Sequence, residues 1–136
     1  MNAELPPQAF EINVPVQPGD IDQQNHVNNT VYLRWVQEVA TAHWEAHAPA
    51  AALDTIGWVV LRHEIDYKTP ACFGDEVVLR TWVGQATRAT FERFTEMHRR
   101  SDGELLAKAR TLWVPLNSAT GKPMRVPSEV RARFST

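Results

Sequence analysis

Three features of this 136-residue chain predict an α+β fold in which one long central helix is wrapped by a single antiparallel sheet of about five strands. Apolar residues recur at spacings of three and four between Tyr32 and Ala46, which is the period of a helix buried along one stripe. On both sides of that stretch they recur at a spacing of two, the period of half-buried strands. One helix among many strands has to bury its stripe on a sheet, and that order of elements is α+β. The third feature is size: 15.4 kDa fits one domain, 1–136, that buries roughly two-thirds of its unfolded surface.

The elements follow in order. Residues 1–8, with Pro6-Pro7, read as a frayed terminus. Phe10, Ile12, Val14 and Val16 alternate with polar or proline residues and predict a first strand, which Pro15 restricts to a sheet edge or a distortion. Pro18-Gly19 ends it. The helix should run from about Asn29 to about His47, capped by Asn28 or Asn29, with Pro49 as its stop signal. Its stripe is Tyr32, Trp35, Val36, Val39, Ala42 and Ala46. Ala50 to Thr55 reads as a connection. From Trp58 to Thr69 the period changes to two, placing Val59, Leu61, His63, Ile65 and Tyr67 on one face, and Pro70 ends the strand. Phe73-Gly74-Asp75-Glu76 is a turn, and Val77, Leu79, Thr81 and Val83 alternate after it. Strands over about Arg88–Arg100 and Glu104–Leu116 are joined by a hairpin at Ser101-Asp102-Gly103. The four long strands are expected to form a meander, and the tail beyond Met124 to add one helical turn. A sheet of this kind leaves an edge strand open, and pairing edges between two copies covers it, so a homo-oligomer is expected.

Composition narrows the function classes. Hydrophobic residues at 43% and charged residues at 22% exclude a disordered chain. The single cysteine, Cys72, cannot pair within the chain and fits a reducing compartment. Met1 to Phe10 has neither the basic nor the apolar region of a signal peptide, and no apolar run reaches the roughly 18 residues that cross a bilayer. The expectation is a cytoplasmic protein with no membrane or nucleic-acid partner. Net charge is −2 but uneven: residues 1–61 hold one base against seven acids, and residues 62–136 hold thirteen bases against nine acids. The basic half either receives a polyanion such as the phosphates of CoA or carries its charge for solubility.

Chemistry concentrates in the stretch Asp20-Ile21-Asp22-Gln23-Gln24-Asn25-His26-Val27-Asn28-Asn29, which runs directly into the helix. The unpaired N–H groups and positive end of a helix stabilise an anion, so an ionisable loop aimed there is where an active site is expected. Together with the Tyr32-Leu33-x-Trp35 that follows, Asp20-x-Asp22-x-x-x-His26-Val27-Asn28-Asn29 resembles the signature of the 4-hydroxybenzoyl-CoA thioesterase-like branch of the hotdog fold. It is also similar to the Asp-x-Asn-x-His-Val-Asn-Asn run of plant acyl-ACP thioesterases, whose Asn falls on Gln24 here. The strands after the helix follow the same pattern.

The resemblance implies an acyl-CoA thioesterase, a homodimer or dimer of dimers that needs no cofactor, CoA being part of the substrate. It implies Asp22 as nucleophile or as the base that activates water, and the Asn29 backbone N–H as the donor that polarises the thioester carbonyl. The plain alternative for Asp22 is an Asx-turn residue that only shapes the loop. His26 either shares a proton with Asp22 or orients water, as the plant motif implies, or fixes the turn by donating to a loop carbonyl. Asn28 either touches substrate or caps the helix, and Gln24 and Asn25 order the loop. Asp20 is either a carboxylate paired with Asp22 or an exposed turn residue.

Tyr32 and Tyr67, with Trp58, are the expected substrate contacts; Trp58, Tyr67, Phe73 and Trp82 either line an acyl tunnel or are plain core. Glu38 should pair with Arg34 at the i,i+4 spacing, while Glu45 is the other helix carboxylate. His43 and His47, in the last turns, suit the helix dipole as cations. His63 and His98 lie in strands, Cys72 has no adjacent base, and no cluster has metal-ligand spacing, so no metal site is expected. Two rivals remain: hydrolysis of acyl-ACP rather than acyl-CoA, and a hotdog module that binds acyl thioesters without turnover.

Overall fold

The computed structural model describes residues 9–134; the expected frayed stretch 1–8 lies outside them. The elements are β1 (Phe10–Pro15), α1 (Asn29–His47), α2 (Ala50–Thr55), β2 (Ile56–Tyr67), β3 (Glu76–Ala86), β4 (Phe91–Arg99), β5 (Leu105–Asn117) and α3 (Ser128–Phe134). All five strands join one antiparallel sheet in the order β1-β3-β4-β5-β2. β1 is an edge strand, as Pro15 requires, because a residue without an N–H cannot serve a central ladder.

α1 begins and ends where its sequence signals place it. Asn28 Oδ1 accepts the Thr30 N–H at 2.9 Å, capping the first turn. Val31, Tyr32, Trp35, Val36, Val39, Ala40 and His43 are the buried face. Two stripe positions therefore change: Ala46 is exposed and Ala42 only half-buried, while His43 takes the core position one turn beyond Val39. By angle Ala46 shares this face, seven residues or about two turns beyond Val39, so its exposure comes from its place in the last turn of α1 and not from the helical period.

The facing strands bury alternate residues: Val77, Leu79, Thr81 and Val83 from β3, and Phe91, Arg93, Thr95 and Met97 from β4. Each fully buried aliphatic side chain here contributes about 1.5–3 kcal/mol. The core divides into two clusters. One gathers Trp35, Val36 and Val39 with Leu79, Met97 and Leu106; the other gathers Phe91, Val130 and Phe134 with α2.

Four further expectations are corrected. Ala50–Thr55 is a short helix, α2, since Pro49 caps a turn that the alanines continue. The four long strands are not one meander: β2 pairs with β5, so the connection 68–75 crosses from one edge of the sheet to the far side of β4. The single β2 face proposed from its period breaks at a register shift between Val60 and Arg62. A bulge inverts the alternation, which leaves Val59 and Leu61 45% and 65% exposed while His63 and Ile65 turn inward. The tail forms α3, whose Val130 and Phe134 are buried, a fuller element than one turn.

His43 is also not the cation its place near the helix end suggested. It is 2% exposed, and its Nδ1 lies 2.9 Å from Arg93 Nη1, which donates to it. Burial, then the neighbouring Arg93 guanidinium, lowers its pKa from 6.5 to about 3. The folded ring stays neutral while the unfolded chain takes up a proton below about pH 6.5, so stability rises with pH between about 3 and 6.5 and is lost as pH falls. Urea unfolding should show wild type about 2 kcal/mol less stable at pH 5 than at pH 7, with that loss much reduced in His43→Gln. An equal pH dependence in both proteins would contradict a neutral His43.

Candidate active site at the amino end of the long helix

After β1, a 3-10 turn at Pro18–Asp20 turns the chain back toward α1. Asp20 is 4% exposed, accepting the Gln17 N–H at 2.8 Å and Arg34 Nη2 at 3.1 Å. It is therefore neither an exposed turn residue nor a free partner for Asp22, because both its oxygens are committed to anchoring the loop. Arg34 also holds Glu38, 3.2 Å away, in the expected i,i+4 pair.

The loop closes on itself between Ile21 and Val27, which form a β-bridge. The Asp22 N–H donates to the His26 carbonyl at 2.8 Å, and Asp22 Oδ1 accepts the Gln24 and His26 N–H groups at 2.9 and 3.3 Å. Asn25 takes a left-handed φ of 65°, which asparagine tolerates better than most residues. Asp22 is thus an Asx-turn residue through Oδ1. Its Oδ2 has no hydrogen-bond partner among the described residues. The structural and chemical readings of Asp22 therefore occupy different oxygens of one carboxylate.

The second stitch comes from the crossing connection. The Val27 N–H donates to the Ala71 carbonyl at 2.9 Å, and the Ala71 N–H donates to the Tyr32 hydroxyl at 3.0 Å. Burial raises the Tyr32 phenol pKa, countered by that backbone donor. The Tyr67 hydroxyl donates to the Asn29 carbonyl at 3.3 Å, and its ring meets Tyr32 edge-on at 5.3 Å.

These contacts enclose a cavity of about 230 Å³ with Asp22, His26, Asn29 and Tyr32 on one side and Tyr67 and Lys68 on the other. As the first residue of α1, Asn29 has no intrahelical partner for its N–H, and none is found elsewhere among the described residues. A carboxylate oxygen and an unpaired helix N–H on one cavity can together bind and attack a polarised carbonyl.

Five of the residues singled out from sequence come together here: Asp22, His26, Asn29, Tyr32 and Tyr67. The His26 ring makes no hydrogen bond among the described residues, neither to Asp22 nor to a loop carbonyl, and its backbone does the turn-fixing instead. Asn28 borders the adjoining surface, with its side-chain oxygen used by the cap. Trp58 does not join the site: it lines a separate cavity near the other end of α1 with Trp44 and Phe91. Phe73 is 61% exposed, and Trp82 stacks on Phe94 on the outer face of the sheet, so neither lines this cavity. Lys68 was not anticipated. Only the crossing of 68–75 brings it here, and nothing local in the sequence marks it.

One sheet wrapped on one helix, with this loop at the helix start, defines a hotdog-fold protein. A model of the thioesterase-like superfamily matches residues 16–134, and the chain belongs to that superfamily. Among curated relatives, a chloroplastic palmitoyl-acyl carrier protein thioesterase of Cuphea hookeriana is 30% identical over 131 residues, 90% of this chain and 32% of the relative. The chain spans about a third of the length of the first such relatives. Among solved structures, a Thermus thermophilus thioesterase complexed with coenzyme A and Zn is 27% identical, with a TM-score of 0.81 over 93% of this chain and 97% of that one. Slr0204, a 1,4-dihydroxy-2-naphthoyl-CoA thioesterase from Synechocystis, shares the fold at 19% identity and a TM-score of 0.79, over 92% and 94% of the two chains.

Removing the Tyr32 hydroxyl leaves the N–H of fully buried Ala71 without its acceptor. Tyr32→Phe should therefore cost about 1–3 kcal/mol, read as a lower urea midpoint with an unchanged slope. An unaltered midpoint would mean that the hydroxyl does not hold the crossing segment.

Proposed function

We propose that the protein hydrolyses the thioester of an acyl-CoA to a free acid and CoA. The observation that carries this reading is the meeting of Asp22 and the unpaired Asn29 N–H on one cavity. The thioester carbonyl oxygen accepts the Asn29 N–H, and the α1 dipole favours the charge that develops there. Asp22 Oδ2 either attacks the carbonyl carbon, forming an anhydride that water then opens, or takes a proton from the attacking water. In both cases the C–S bond breaks, thiolate leaves, and the net reaction consumes one water. His26, free on the same cavity, orients that water. Lys68 offers a cation to the phosphates of CoA. A coenzyme A complex of the Thermus relative supports the CoA reading, while the acyl carrier protein named for the Cuphea relative supports acyl-ACP as the second.

Asp22→Asn separates the two duties of this residue, because the amide oxygen can still accept the Gln24 and His26 N–H groups. Thiol release from short, long and aromatic acyl-CoAs should fall by about 10²-fold or more in the variant, with its melting temperature unchanged. Equal rates would remove Asp22 from the chemistry. Activity on acyl-ACP alone would select the second reading.

We also propose a homodimer formed through the free edge of β2. Val59 and Leu61 are 45% and 65% exposed on this twelve-residue strand, and Tyr67 at its end is 47% exposed. A long edge carrying apolar side chains is stabilised by pairing with its copy, and a partner seated there would border the Asp22 cavity through Tyr67. Leu61→Asp should shift sedimentation from dimer to monomer and reduce turnover. A wild-type monomer would refute the interface.

A further inference from the structure

Lys68, Thr69 and Pro70 form one wall of the Asp22 cavity, yet none of them lies in a helix or strand. The crossing segment 68–75 has no ladder of its own, so its shape depends on individual hydrogen bonds. At its amino end the Lys68 and Thr69 N–H groups share the Leu106 carbonyl, at 2.8 and 3.1 Å. In its middle, the Ala71 N–H meets the Tyr32 hydroxyl and the Ala71 carbonyl meets the Val27 N–H. At its carboxyl end the chain turns on Gly74, at a φ of 93°, and the Cys72 N–H donates to Asp75 Oδ2 at 2.9 Å.

Arg99, the last residue of β4, clamps this segment from outside. Its Nη2 donates to the Pro70 carbonyl at 3.2 Å, its Nε to Asp75 Oδ2 at 3.1 Å and its Nη1 to Asp102 Oδ2 at 2.9 Å, so all three nitrogens are engaged. Its side chain, 18% exposed, is the least exposed among the ion-paired arginines of the described residues. Asp102, in the turn between β4 and β5, aims the guanidinium and is itself fixed by the Glu104 N–H on its other oxygen, at 3.0 Å. The Pro70–Ala71 peptide is thus held at both ends, its oxygen by Arg99 and its N–H by Tyr32. A peptide group is planar, so the two bonds together set its tilt. That setting carries back along the wall, because the proline ring fixes the φ of Pro70 and confines Thr69 to extended conformations. Lys68, next before them, is exposed and makes no ion pair among the described residues, so the backbone alone sets where its ammonium points.

We propose that Arg99 is a positioning residue for substrate: by fixing the Pro70 carbonyl it holds Lys68 on the cavity, where the ammonium meets the phosphates of CoA. The inference rests on the acyl-CoA reading given above. An arginine that served the hairpin alone would need only Asp102, and the bond to Pro70 reaches a residue that lines the cavity. Without Arg99 the Ala71 bonds to Tyr32 and Val27 remain, and with them the anchor of the Asp22 loop. The loss therefore falls on the stretch that faces the nucleotide arm of the substrate, not on the groups that meet the thioester.

The test compares an acyl-CoA with the same acyl group on N-acetylcysteamine, a thiol that lacks the phosphates. The readout is the ratio of kcat/KM for the two substrates, which general damage to the site leaves unchanged because it lowers both. Arg99→Met should lower this ratio about tenfold, chiefly through KM for the acyl-CoA. Lys68→Met should lower it by a similar factor. The double variant should fall no further than Lys68→Met alone, since one residue acts through the other. Arg99→Lys keeps the charge without the forked geometry; it should lower the ratio too, and it provides the same test if Arg99→Met fails to fold. Calorimetric binding of CoA against pantetheine reads the same preference without turnover, so a protein that prefers CoA but hydrolyses no thioester would sink the hydrolytic reading alone. An unchanged ratio in the Arg99 variants, a further full loss on the Lys68→Met background, or equal affinity of wild type for CoA and pantetheine would each overturn the proposal.

Discussion

One helix has to bury its apolar stripe on one face of one sheet, and most of this molecule is arranged by that constraint. Trp35, Val36 and Val39 reach the core only if the sheet curls around α1, with β1 and β2 at its two edges. Since β2 pairs with β5 rather than β3, the chain must return across the open end of the sheet, past the start of α1. That return brings Ala71 onto Val27 and Tyr32, and Tyr67 and Lys68 onto the Asp22 loop. The candidate active site is a consequence of covering the helix start.

The two ends of α1 solve different electrostatic problems. At the amino end, the unpaired Asn29 N–H meets a loop whose carboxylates are divided in duty: Asp20 is buried and paired with Arg34, and Asp22 keeps one oxygen uncommitted. The positive end of the helix makes a site for negative charge there at no cost in further side chains. Toward the carboxyl end, Arg93, His43 and Thr81 form a buried polar group between the two apolar clusters. Among the described residues no carboxylate lies within ion-pair distance of Arg93, whose Nη1 is met there by the neutral acceptors His43 and Thr81. The free edge of β2 and the candidate site also meet, because Tyr67 ends β2 while its hydroxyl braces Asn29.

Much of this was legible in the sequence. The bounds of α1, a cap at Asn28 or Asn29, an edge position or distortion for β1 and the hairpin at Gly103 follow from local rules about hydrogen bonds and permitted dihedrals, and the structure selects Asn28 and the edge. The clustering of ionisable groups before α1 was also legible, since these residues are contiguous and their relation to a helix start needs no distant information. Where the reading failed, the cause was non-local. The bulge near Leu61 reverses which β2 residues are covered, and no alternation within the strand announces it. Trp58 reads as a substrate contact because aromatic residues suit acyl groups, but its strand position places it toward the other end of the helix.

By itself, the sequence determined the periods, the caps, the breaks and the cluster of ionisable groups before α1, all of which arise within a few residues. Only the tertiary structure decided that Asp20 is buried while Asp22 holds a free oxygen, that His43 is neutral, and that Lys68 joins the site. Charge state and accessibility depend on what packs against a group, and here the packing partners lie far along the chain. Arg93 and His43 are fifty residues apart in sequence. The strand order alone brings them within hydrogen-bond distance.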